Sequence, residues 1–183
     1  MIIAEEKKKK NITEYILYMW QIEDLIRALK FDMKQINEKL VAQYQVEEEK
    51  RNEISLWYEN LVLMMKKEQK QTAGHLQFLV NTVNDLNLFH KAIILEQADA
   101  GYTRLYNDIK PDLELVRQKS GNQHNDIEVA LNTLYLILML KMNQKEVSEG
   151  TQQAVWKFGN FMAYLSKLHQ SHEAGDLELE NFS

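Results

Sequence analysis

The residues that can do chemistry in this chain are few, and several recur at helical spacing. Glu23, Asp24 and Arg27 stand together in an otherwise apolar stretch. Residues four apart share a helix face, so Glu23 and Arg27 read either as an ion pair or as part of a polar constellation facing a pocket. Asn81, Asn84, Asp85 and Asn87 form a second group; with His75 just after Gly74 they can line a polar cleft or lie on a solvated face. Arg117, Lys119, Ser120 and Gly121 form a third, in which a guanidinium beside turn amides suits an anion. His90 falls on an apolar stripe, where a histidine is ordinarily structural. His169, His172 and Glu173 have the spacing of surface metal ligands, but no third ligand fixed by the fold is visible. The candidate binding residues are therefore Glu23, Asp24, Arg27, His75, Asn84, Arg117, Ser120 and Gly121. No catalytic residue, cofactor or metal is assigned.

The missing signatures narrow the chemistry further. There is no cysteine, so thiol nucleophiles, zinc–thiolate sites and iron–sulfur clusters are excluded. The sequence contains no phosphate-binding GxxxxGK[ST] or GxGxxG, no HExxH and no GxSxG. It also lacks the Glu-x-x-His pairs with which helical bundles hold two irons.

Helices must position these groups. One proline and six glycines in 183 residues disfavour turns and strands. Ile12, Ile16, Met19, Ile22, Ile26 and Leu29 recur every three or four residues, with Asn11 as the cap. Asp32 opens a shorter helix through Ile36 and Leu40. Glu47 to Lys70 carries Ile54, Trp57, Leu61 and Met64. Leu76 to Glu96 follows the break at Thr72–Gly74. Asp99–Gly101 reads as a loop, and Tyr102 to Lys119 as a helix kinked or broken near Pro111. Asp126 to Asn143 is apolar over most of its circumference, and Ser148 caps a last helix through Val155, Phe158, Met162, Leu165 and Leu168. Trp20, Trp57 and Trp156 fall on three helices and read as core. The expectation is an all-α, compact bundle of six to seven helices: a single helical domain over residues 1–172 and an acidic C-terminal tail over 173–183. That tail, with Leu177, Leu179 and Phe182 between its acids, is expected to lie extended in a groove or to stay disordered.

The net charge of −5 has a location. Glu173, Asp176, Glu178 and Glu180 account for most of it, so the remainder is near neutral. The Lys7–Lys10 run follows Glu5 and Glu6 and reads as a solvated lead-in. This balance argues against a nucleic-acid partner. No stretch approaches the ~20 apolar residues of a membrane span, and a cytoplasmic location is expected.

The opening MIIAEEKKKKNITEYILYMWQIEDLIRALKFD, the GHLQ at Gly74–Gln77, the RQKSGN at Arg117–Asn122 and the closing GDLELE at Gly175–Glu180 resemble an uncharacterised all-helical family of Bacteroidetes bacteria, a domain of unknown function. The resemblance implies a helical cytoplasmic protein of this length and carries over no site residues. Two functions follow from the sequence. One is a non-enzymatic helical protein-interaction or regulatory module, self-associating or docking a protein partner through wide apolar arcs. The alternative is a small-molecule- or anion-binding protein or enzyme with a polar cleft between helices.

Overall fold

The computed structural model describes residues 2–120, 125–145, 149–180 and 182. Among these, every regular element is a helix: α1 (Ile2–Lys10), α2 (Ile12–Ala28), α3 (Met33–Lys39), a 3-10 turn at Val41–Gln43, α4 (Glu48–Lys67), α5 (Gln77–Glu96), α6 (Ala100–Ser120), α7 (Asp126–Met142) and α8 (Glu149–Glu173). Eight α-helices replace the six to seven expected. The additional one is α1, whose lysines and glutamates make no apolar stripe and so give no periodic signal. Lys and Glu are nonetheless good helix formers, and Lys7 reaches Glu14 at 3.3 Å. No helix among the described residues is long and apolar enough to cross a membrane.

The helices fall into two compact units, residues 1–8 with 14–81, and residues 9–13 with 82–183. In the first unit, α2 buries Tyr15, Ile16, Met19, Trp20, Ile22 and Ile26. It stops where Lys30 and Phe31 take left-handed conformations, at φ 54° and 60°. Asp32 then caps α3 as expected, its carboxylate accepting from the Lys34 amide at 2.9 Å. Glu48 and Glu49 in the first turn of α4, and Lys66 and Lys67 in its last, complement the helix dipole. The face α4 buries carries Ile54, Tyr58, Leu61, Val62 and Met65. Tyr58 and Met65 replace the expected Trp57 and Met64, so half of the stripe is displaced by one residue. Spacings of three and four fit either set, and packing against α3 and the 3-10 turn selects between them.

In the second unit, α6, α7 and α8 pack on one another. The core collects Phe89, Ile93, Tyr102, Ile109, Leu113, Ile127, Leu131, Phe158, Phe161, Met162 and Leu165. Ala100 and Gly101 open α6 where a loop was expected, and Asp99 before them caps the helix, its Oδ1 accepting from the Tyr102 amide at 2.7 Å. The same carboxylate accepts from the Tyr164 hydroxyl at 3.2 Å. Gly101 sits beneath this bond, where a Cβ would lie 2.9 Å from the Tyr164 oxygen. α6 continues unbroken through Pro111, which removes the break from the expected kink or break. Buried Ile109 and Leu113 flank the proline, and Lys157 of α8 lies 3.7 Å from Asp108 and 3.2 Å from Asp112. Both half-helices are thereby held from one side.

Trp156 is 70 % exposed, which corrects its assignment to the core. The expected Ser148 cap and the Gly121–Asn122 stop lie outside the described residues. Part of the C-terminal segment folds onto its own unit. Leu179 is buried, the Glu180 amide donates to Glu96 at 3.0 Å, and the Phe182 ring packs edge-on against Phe89 at 5.2 Å.

Candidate functional site

Four of the sequence-selected residues meet in the first unit. Glu23 is wholly buried; its Oε2 lies 2.6 Å from His75 Nδ1 and its Oε1 accepts from the Leu76 amide at 2.8 Å. The Trp20 ring stacks on His75, with centroids 4.2 Å apart. The expected Glu23–Arg27 pair does not form. Arg27 is turned further toward the surface, where it binds Asp24 at 2.7 Å, the Lys70 carbonyl at 3.1 Å and the Gly74 carbonyl. Apart from the Arg27–Asp24 pair, which lies within α2, each of these bonds ties α2 to the segment that leads into α5. Glu68 adds another, accepting from the Gln77 amide at 2.7 Å. Two carboxylates thus serve the opening amides of α5, where the helix dipole favours negative charge. The chemistry assembled here is that of a latch.

In the second unit Asn84 is exposed, and Ser120 donates to the Arg117 carbonyl at 3.3 Å. Gly121 lies outside the described residues. Arg117 is engaged by two carboxylates, Glu114 at 2.6 Å and Asp126, so its fork already carries the bonds an anion would need.

A cavity opens elsewhere in this unit. It has a volume of about 480 Å³ and is lined by Asn87, His90, Lys91, Ile94 and Leu95 of α5, Tyr106 of α6, and Asn125 and Asp126 at the start of α7. The α5 residues recur at the i, i+3, i+4, i+7, i+8 spacing of a single helix face. Asn125 caps α7, accepting from the Glu128 amide at 2.9 Å. That cap places the Asp126 carboxylate where Tyr106 donates to it at 2.6 Å and Arg117 donates to its other oxygen. Burial works to raise the Asp126 carboxyl, yet these two bonds and the Arg117 charge leave it below the ordinary carboxylate value.

His90 forms the floor. It is 3 % exposed, its Nδ1 lies 2.7 Å from the Tyr102 hydroxyl, and its Nε2 lies 3.9 Å from Asp126 Oδ2. The Tyr102 hydroxyl has no other acceptor among the described residues, so its proton goes to Nδ1 and the ring proton sits on Nε2. Burial pushes the His90 pKa down to about 4, against the opposing pull of Asp126. The ring is neutral at neutral pH. Asn87, one turn away, is 7 % exposed, and its carboxamide makes no hydrogen bond to any described residue.

A family model covers residues 1–176, the family described as Domain of unknown function (DUF4924). The chain belongs to this family. The match ends at Asp176, so Leu179 and Phe182, which seal the second unit, lie beyond it. No curated protein and no solved structure matches the chain.

Asn87 and His90 were visible in the sequence as a polar residue and a structural histidine. Tyr106, Asn125 and Asp126 were missed as site residues. Their partnership is tertiary, and the only local signal was the Asn87–His90–Lys91–Ile94 spacing. His169 and His172 serve packing, both rings lying against Phe89, and His172 Nδ1 donates to the Leu177 carbonyl at 2.8 Å.

Proposed function

We propose that this is a small-molecule-binding protein whose ligand occupies the cavity between α5, α6 and the start of α7. The observation that carries the reading is Asn87. Asn87 is 7 % exposed, its carboxamide makes no hydrogen bond to a described residue, and it borders a cavity of a size that suits small organic molecules. A ligand seated there finds a donor and an acceptor already held in place by α5. The reading is of binding and not of catalysis, because a histidine with a pKa of about 4 is a weak base at neutral pH. The same reading places the protein in the bacterial cytoplasm, which the absence of cysteine suits. A thermal-shift screen of small organic compounds against the wild type and Leu95→Trp, which narrows the mouth, tests it. Compounds that stabilise the wild type and not the variant are expected. Hits that stabilise both equally would place the binding elsewhere.

A second reading, self-association, is favoured by α7 and Trp156. Leu136 and Met142 are 59 % and 61 % exposed on the chain's most apolar helix, and Trp156 is 70 % exposed on α8. Burying exposed apolar side chains against a second copy of the chain is the commonest route to a two-fold dimer. Light scattering is expected to give a dimer for the wild type and a monomer for Leu136→Glu. A wild-type monomer at high concentration removes this reading.

A further inference from the structure

The charges on the cavity wall specify what its ligand must present, given the ligand-binding reading above. Asp126 receives Tyr106 on one oxygen and Arg117 on the other, so its charge is matched by a guanidinium in direct contact. Arg117 also holds Glu114, whose side chain is more than half exposed and is met by water. Lys91 differs from both. It lines the same cavity from α5 and pairs with no carboxylate among the described residues. Its charge reaches the floor, where it is one of the causes that lower the His90 pKa. The wall thus carries a cation without a counter-ion in contact.

The hydrogen-bonding groups point the same way. His90 Nε2–H stands 3.9 Å from Asp126 Oδ2, beyond the reach of a hydrogen bond. Asn125 uses its Oδ1 to accept from the Glu128 amide, which leaves its amide end to donate. Lys91, His90 and Asn125 therefore all offer donors. An ionised carboxylate only accepts, and it brings the single negative charge that Lys91 lacks. An ammonium or amidinium would meet Lys91 and Arg117 as like charges. A dianion would set its second charge against Asp126 with no cation left to balance it. Ile94, Leu95 and the Tyr106 ring leave the rest of the space to an apolar body.

We infer that the cavity takes a small organic acid, a single carboxylate carried on an apolar body. Its oxygens accept from Lys91 and from the His90 Nε2–H, and the body lies along Tyr106, Ile94 and Leu95.

The probes are benzoate, benzamide and benzamidine, which share a ring and nearly a shape but carry a negative, a neutral and a positive group, with phenyl phosphate as the dianion. Each is titrated at millimolar concentration into the full-length, 15N-labelled protein at neutral pH and low ionic strength, where an exposed ammonium is least screened. Amide shifts are followed at residues 87–95, Tyr106 and Asp126. Benzoate is expected to shift these amides and to bind about tenfold more tightly than benzamide, with benzamidine weakest. Lys91 is exposed, and Lys91→Met is expected to bring benzoate down to the affinity of benzamide while leaving benzamide unchanged. Equal binding of benzoate and benzamide, tighter binding of benzamidine or phenyl phosphate, or a benzoate preference that survives in Lys91→Met would overturn the carboxylate assignment and leave the cavity to another class of molecule. No shift at these residues with any of the four would overturn the cavity reading itself.

Discussion

The neutral, buried His90 makes the stability of the second unit depend on pH in a defined window. In the unfolded chain its imidazole binds a proton near the ordinary 6.5, whereas in the folded protein it does so only near 4. Between these values the unfolded state holds more protons. Stability therefore falls as pH drops from 6.5 toward 4, and is unaffected by this group above 6.5. The full gap corresponds to about 3 kcal/mol at 1.36 kcal/mol per unit. At pH 5 about 2 kcal/mol of it is lost, a large share of a typical domain's stability. Asp126 does not confuse the window, since its carboxyl is held below the ordinary 3.8 and its contribution fades only at lower pH. Urea unfolding followed by circular dichroism from pH 4.5 to 7.5 measures the effect. His90→Asn is expected to flatten the slope below pH 6.5. The His90 ring resonances in the folded wild type should stay at their neutral positions down to pH 5. A ring that titrates near 6.5, or a variant with the wild-type slope, would refute the reasoning.

Three further outcomes follow from the packing. Glu23→Ala removes an acceptor with two bonds, from His75 and from the buried Leu76 amide, and should lower stability by about 3 kcal/mol, read as a melting temperature lower by about 6–12 °C; the exposed Glu59→Ala is the control and should lie within about 0.5 kcal/mol of the wild type. Gly101→Ala places a Cβ against the Tyr164–Asp99 bond and should cost about 1–3 kcal/mol, with Tyr164→Phe recovering part of the loss in the double variant. Leu179→Ala should lower stability by about 2 kcal/mol and accelerate amide exchange in the second half of α5; unchanged exchange would show that the residues after α8 are not part of that core.

The sequence disclosed elements wherever one apolar face met water on the other. The Asp32 cap, the helix from Ile12 and the break at Thr72–Gly74 were all legible because local chemistry decides them. The α4 stripe was placed partly one residue away, since Trp57 and Tyr58 are equally apolar by composition and only the surface beneath them chooses. α1 was hidden because its helicity comes from backbone propensity without burial. The latch residues Glu23 and His75 were singled out, but their partnership joins positions 52 apart in sequence, and the nearer Arg27 was the natural guess. The cavity followed the same rule. Its α5 face was readable, while Tyr106 and Asp126 join it only through helix packing.

The Phe182–Phe89 contact has a consequence in time. At 5–20 residues per second, the roughly 90 residues between them take about 5–20 s to synthesise. For that interval the nascent chain holds Phe89 without this part of its cover, while α5 has long been available to fold. A ribosome-stalled chain that ends before Leu179 should therefore recruit chaperones that a chain extended past Phe182 releases.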